Sequence, residues 1–351
     1  MIGIPPCQIQ AMTSHPFADR RSYLPRPVGA VFLALILVLV GLIPSTTGAQ
    51  KQISPPTGNG IAIVPSATDP QIKTFNSPHY LYVERDIVVA HQPKLPPDRH
   101  ELLLWLPGTK GQGEGPVAFC ELAARIGYRV VVLMYPDDIA AMVCQGDRDP
   151  GAFEAFRLAI IEGGTTKHIA VSRADSIENR LVKLLLYLKE NRADEHWEQF
   201  LDSEGGIKWN AVAVAGQSQG GGHAALLGIK HRVARVICTG APKDYSLALD
   251  RPAAWYSETS ATPKGCFFTF NHQQDGKNGC TFEQQMKNVQ ALQLDAFGAP
   301  VDVDQETYPY RGSRILTTNC PTQNPHASVI VTQNAGRFQR VWFYMLTAKM
   351  P

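Results

Sequence analysis

The stretch Trp209 to Leu227, WNAVAVAGQSQGGGHAALL, constrains the chain more than any other. Ala211 to Ala215 is a run of small and β-branched apolar residues, which suits a strand buried on both faces of a parallel sheet. It runs into Gly216-Gln217-Ser218-Gln219-Gly220, a G-x-S-x-G sequence, and His223 to Leu227 then reads as a helix. Strand, sharp turn and helix is the context a nucleophile elbow requires. The turn lifts the serine hydroxyl off the sheet edge, and side chains at Gly216 or Gly220 would collide with the neighbouring strand or helix. The start of the helix also puts backbone N–H groups beside the serine, where an oxyanion can be held.

The surrounding pattern is strand, helix, strand. Glu101 to Leu106 (ELLLWL) is a buried strand closed by Pro107-Gly108-Thr109-Lys110-Gly111. A helix over 116–126 and a strand over 128–134 follow, a βαβ signature. Helices are expected over 152–161, 176–190 (where Ile177, Leu181, Leu184, Leu185 and Leu188 share one face), 282–292 and 335–349. Further strands are expected over 79–83, 87–90, 233–239, 266–270 and 314–318. Gln50 to Asn76, rich in Pro, Ser, Gly and Thr, reads as a linker or extended arm, and 77–351 as one domain without repeats.

The bulk properties exclude several classes. Of 351 residues, 44% are hydrophobic and 18% charged, a globular balance. The formal charge is +2, and Arg20, Arg21 and Arg26 against Asp19 supply all of it ahead of the domain. The near-neutral remainder calls for neither a nucleic-acid partner nor a membrane-surface partner. Val28 to Ile43 is an uncharged apolar run with arginines before it and Thr47-Gly48-Ala49 after it. It reads as a secretory signal peptide cleaved near Ala49, or as an uncleaved anchor and the chain's one tie to a membrane. A secreted or periplasmic location follows. Seven cysteines include Cys7 upstream of that run, and the other six permit disulfides in an exported chain. Cys280–Cys320 is the expected bridge, with Cys266–Cys280 as rival, and Cys238 is expected as a free core thiol. No cysteine spacing resembles a zinc site.

A serine hydroxyl needs a base within hydrogen-bond reach and a group to orient that base. Two loops after downstream strands supply them: Asp275 after CFFTF and His326 after RILTT. The order Ser218, Asp275, His326 resembles that of the α/β-hydrolases. From about Glu101 onward the chain is similar to secreted bacterial α/β-hydrolases that share a Leu-Pro-Gly-Thr turn, here Leu106 to Thr109, and a Gly-x-Ser-Gln-Gly elbow, here Gly216 to Gly220.

The resemblance implies an α/β fold with a mostly parallel central sheet and helices on both faces. It implies Ser218 as nucleophile, His326 as general base and acid, Asp275 as orienting carboxylate, and the amides of Gln219 and of the Gly108-Thr109 turn as oxyanion donors. No metal or organic cofactor is implied. His272 is the rival base, Asp302 and Asp304 are the rival acids, and His223 is expected as a packed residue. Trp255 and Tyr256, in the polar segment 247–262, are expected to line a substrate pocket in an excursion over the site. The expected activity is hydrolysis of a small-molecule or polymer ester. An amidase or peptidase with the same residues, and a noncatalytic binding protein on the same scaffold, are the alternatives.

Overall fold

A computed structural model describes residues 60–83, 99–276 and 279–350. The apolar run 28–43, Cys7 and the strand expected at 87–90 lie outside the described residues.

Nine strands form one sheet in the order β1-β2-β4-β3-β7-β8-β11-β13-β12. β1 (Ile61–Ile63) pairs antiparallel with β2 (His79–Tyr82), and β2 antiparallel with β4 (Arg129–Val132). From there the pairing is parallel through β3 (Leu102–Leu106), β7 (Val212–Gln217), β8 (Arg235–Thr239), β11 (Phe267–His272), β13 (Ile315–Thr318) and the short β12 (Val301–Asp302). Two small antiparallel ribbons stand apart: β5 (Gly164–Thr165) with β6 (Ala170–Val171), and β9 (Tyr245–Ser246) with β10 (Arg251–Pro252).

Strand β3 shows why the parallel strands lack a polar face. Leu102, Leu104 and Leu106 enter one hydrophobic core, Leu103 and Trp105 the other, and all five are buried. Against the first core pack α3 (Ala152–Ile161), α4 (Ile177–Asn191) and α5 (Gln219–Lys230). Against the second pack α2 (Val117–Arg125) and α8 (Ala335–Thr347). A mostly parallel sheet with helices on both faces and antiparallel strands at one edge is the α/β-hydrolase fold. Helix α4 starts where the sequence says it should. The Ser176 hydroxyl accepts the Asn179 amide, and the five apolar residues named above are all buried.

Three expectations are corrected. Residues 60–76 are not the end of a linker: β1 extends the sheet, and the short α1 (Pro65–Thr68) packs against α4. Their polar composition hid a three-residue strand, too short to show a period. In the segment 247–262, Trp255 and Tyr256 do not project over the surface: both are fully buried in the first core, while much of the segment around them is exposed. The six cysteines of the domain are free thiols, all buried. Cys120 and Cys320 sit in the second core and Cys144 and Cys238 in the first, so packing around separate helices and strands holds them, not bridges. Cys238 is the core thiol expected of it. Among the described residues no helix is long and apolar enough to cross a membrane.

Candidate active site

Ser218 stands between β7 and α5 at φ 55°, ψ −116°. A non-glycine residue there stores about 1–3 kcal/mol of strain, which the surroundings must hold. The surroundings are fixed by close approach. A Cβ on Gly220 would lie 2.0 Å from the Leu106 carbonyl oxygen, and one on Gly216 would lie 2.4 Å from the Gly220 carbonyl carbon. The Ser218 amide donates to the Thr239 carbonyl at the end of β8 (2.9 Å), tying the turn to the next strand. Gln219 opens α5, so its amide has no partner within the helix and faces the serine end.

His326 lies in the four-residue helix α7 (Pro325–Ser328) after β13. Asp275 follows β11. They meet: His326 Nδ1 is 2.7 Å from Asp275 Oδ2, and both are buried. The imidazole packs against Gly240, the residue after Thr239. A Cβ there would lie 3.3 Å from His326 Cε1 and 3.4 Å from Nδ1. On the other side, Gln217 donates to the His326 carbonyl at 3.4 Å.

Burial by itself would raise the Asp275 carboxyl. The hydrogen bond and charge of His326, with the charge of Lys243, outweigh it and hold Asp275 down at about 2. Lys243 is buried too, and its ammonium donates to both carboxylate oxygens at 3.2 Å. Sequence reasoning missed it, because nothing local marks a lysine that pairs with a residue 32 positions on.

The oxyanion turn is held from two sides. A Cβ on Gly108 would lie 3.2 Å from Ser218 Cβ and 2.4 Å from Gln217 Oε1, so the backbone at Gly108 passes directly against the elbow. The Gln219 side chain reaches across the turn: its Oε1 accepts from Thr109 Oγ1 (3.0 Å) and the Ala141 amide (2.8 Å), and its Nε2 donates to the Ile139 carbonyl (3.0 Å). Asp137 grips the far end, where its Oδ2 accepts the Gly111 amide at 3.0 Å and its carbonyl the Lys110 amide at 3.0 Å. Burial is the main cause that pushes Asp137 up to about 7.

Beneath the elbow, Arg157 forks onto Asp244 with two 2.6 Å bonds and donates to the Gln219 carbonyl at 2.9 Å. Trp255 Nε1 donates to Asp244 Oδ2 (3.1 Å), and the Tyr256 hydroxyl accepts the Asp244 amide (3.0 Å). The two aromatics are thus anchors of the Arg157–Asp244 pair, and neither is among the residues that line the two cavities at the elbow.

The rivals occupy other places. His272 Nε2 donates to the Cys320 carbonyl (2.8 Å) and its Nδ1 accepts the Gln274 amide (3.0 Å), which uses both nitrogens of a neutral ring. Asp302 accepts from Gln273, and Asp304 from Thr318 and Asn319. His223 packs in the core, edge-on to Tyr135 at 5.3 Å between centroids, and burial drives it well below the ordinary histidine range. Among the described residues no group of three or more His, Cys, Asp or Glu is placed to hold a metal ion.

No protein-family model matches the sequence, and no curated protein matches it. Solved structures do. An S-formylglutathione hydrolase from Agrobacterium tumefaciens is similar at TM-score 0.42 and 13% identity, over 82% of this chain and 95% of that one. An acetyl ester-xyloside bifunctional hydrolase from Caldicellulosiruptor lactoaceticus is similar at TM-score 0.40 and 15% identity, over 82% and 96%. An esterase from Thermogutta terrifontis is similar at TM-score 0.37 and 12% identity, over 82% and 89%.

Proposed function

We propose that this chain of α/β-hydrolase fold is a serine hydrolase that cleaves carboxylic esters through an acyl-enzyme. One observation carries the reading. A strained Ser218 at φ 55° stands one strand end away from a buried His326–Asp275 pair whose ring packs against Gly240. A noncatalytic scaffold has no use for a strained serine or for an imidazole oriented by a buried carboxylate.

In this reading Ser218 Oγ attacks the ester carbonyl and His326 takes its proton. Asp275 holds the imidazole through Nδ1, leaving Nε2 for the reaction, and stabilises the imidazolium that forms. The amides of Gln219 and of the Gly108-Thr109 turn receive the oxyanion, each worth roughly 3–4 kcal/mol by the behaviour of such donors elsewhere. The imidazolium then protonates the departing alkoxide. Water, deprotonated by the same imidazole, attacks the acyl-serine, and the acid leaves.

Export belongs to the same proposal and rests on the apolar run Val28 to Ile43 with the arginines before it and Thr47-Gly48-Ala49 after it. The test is covalent labelling. A fluorophosphonate probe is expected to label the wild-type protein at Ser218, and Ser218→Ala to abolish the label. Labelling that survives Ser218→Ala refutes the assignment.

A further inference from the structure

Two cavities of unequal size adjoin the elbow, one lined by Ser218 and Gln219, the other by Gly108 and Gln217. On the Gln219 side, Thr109, Ala141, Met142 and Lys243 close around the serine and leave a cavity of about 10 Å³. That is room for about one water-sized group. The closure has a cause: the three hydrogen bonds of the Gln219 side chain draw Thr109 and the 139–141 segment together over the turn. On the other side a groove of about 330 Å³ runs past Gly108 and Gln217 along Ala327, Ile330 and Val331. None of the residues that line it is charged.

The chemistry decides which half of an ester goes where. When the tetrahedral intermediate collapses, the bond between the carbonyl carbon and the alkoxy oxygen breaks. The imidazolium of His326 gives its proton to that oxygen, so the leaving alcohol must lie on the imidazole side. The chain leaves His326 through Ala327 straight into the wall of the large groove. The alcohol therefore takes the groove, and the acyl group takes the small cavity. The walls of the small cavity agree with a short acyl group. Lys243, Arg157 and Asp244 border it, and a long alkyl chain forced past them would strip solvent and partners from buried charges.

Resting on the serine-hydrolase reading above, we infer that the substrates are esters of one- or two-carbon acids with a bulky uncharged alcohol. The bond that breaks is the acyl C–O bond, the products are formate or acetate and the free alcohol, and water supplies the balance.

The experiment is a two-way ester panel on the full chain. Across p-nitrophenyl acetate, butyrate and octanoate, kcat/KM is expected to fall about 100-fold from acetate to butyrate, and further to octanoate. Met142→Ala, at a partly exposed position on the cavity wall, is expected to raise the butyrate-to-acetate ratio of kcat/KM by about 10-fold or more, whatever its effect on the acetate rate itself. Acetates of large neutral alcohols, such as 2-naphthyl acetate, are expected to be turned over far better than methyl esters of long acids. Butyrate or octanoate turned over as fast as acetate, with Ser218→Ala inactive, overturns the acyl assignment and leaves the serine reading standing. A preference for methyl esters of long acids reverses the two sites and also overturns it. Turnover that persists in Ser218→Ala removes the serine reading and this inference with it.

Discussion

Lys243 and His326 hold the same carboxylate from two directions. The ammonium donates to both oxygens of Asp275 at 3.2 Å, while the imidazole Nδ1 sits 2.7 Å from Oδ2. Asp275 is thus fixed from both sides, and the His326 ring takes its position from a carboxylate that is held in place. Lys243→Met removes one of the two holds. It is expected to lower kcat by about 10-fold with KM changed less, as the placement of the imidazole loosens. An unchanged kcat in a variant with unaltered cooperative melting contradicts this role for Lys243.

The side chain of Gln219 joins two loops across 110 residues of sequence. Its loss is expected to let the Gly108-Thr109 turn relax away from the oxyanion. Gln219→Ala should lower kcat by about 10- to 100-fold, with KM changed much less. Thr109→Val removes only one of the bonds, and its effect should be absorbed in the double variant rather than added. Additive losses in kcat show that the two side chains act independently and sink the idea of a clamp.

Gly240 follows Thr239, whose carbonyl holds the Ser218 amide, and packs against the His326 ring. At φ +55° an alanine is strained. Its Cβ would also lie 2.9 Å from the His326 carbonyl and 3.3–3.4 Å from the ring. Gly240→Ala is expected to cost about 1–2 kcal/mol of stability. It should also lower kcat well beyond what that loss explains, because the imidazole is pushed from its place against the turn. Denaturant midpoint and kcat measured on the same preparation separate the two effects. Full activity in a destabilised variant shows that the imidazole position is not set here.

What the sequence disclosed follows from how local each signal is. The elbow, the β3 run LLLWL and the α4 face are patterns within a few residues, and each lies where expected. The His326–Asp275 pair was legible because both residues follow buried strands, and the parallel sheet brings such strand ends together. Lys243 and the Gln219 clamp were not legible, since their partners are set by tertiary contact over 32 to 110 residues. Trp255 and Tyr256 misled for a related reason. Aromatics in a polar segment look like a pocket lid, and nothing within the segment records that Asp244 draws the Trp255 indole inward. Cysteine parity suggested bridges, but even counts also arise from thiols that pack singly, as Cys238 does against the Gly221 carbonyl at 3.2 Å.

His79, at the start of β2, gives a stability test that needs no substrate. Its ring is fully buried, Nδ1 accepts the Met134 amide at 2.9 Å, and burial, reinforced by the charge of Arg180, lowers it to about 3. The folded chain therefore refuses a proton that the unfolded chain accepts below about 6.5. The contribution of this neutral histidine is complete above pH 6.5 and is lost as the pH falls from there toward 3, at about 1.4 kcal/mol per pH unit. Between pH 7.5 and 5.5 the wild type is expected to lose about 1.4 kcal/mol of unfolding free energy through His79. His79→Asn keeps an acceptor for the Met134 amide but cannot take up the proton. Urea unfolding at the two pH values should show the variant less stable at pH 7.5, yet losing less on going to 5.5. Equal losses in both proteins mean that the acid sensitivity of the fold lies elsewhere, with His223 in the first core the next group to substitute.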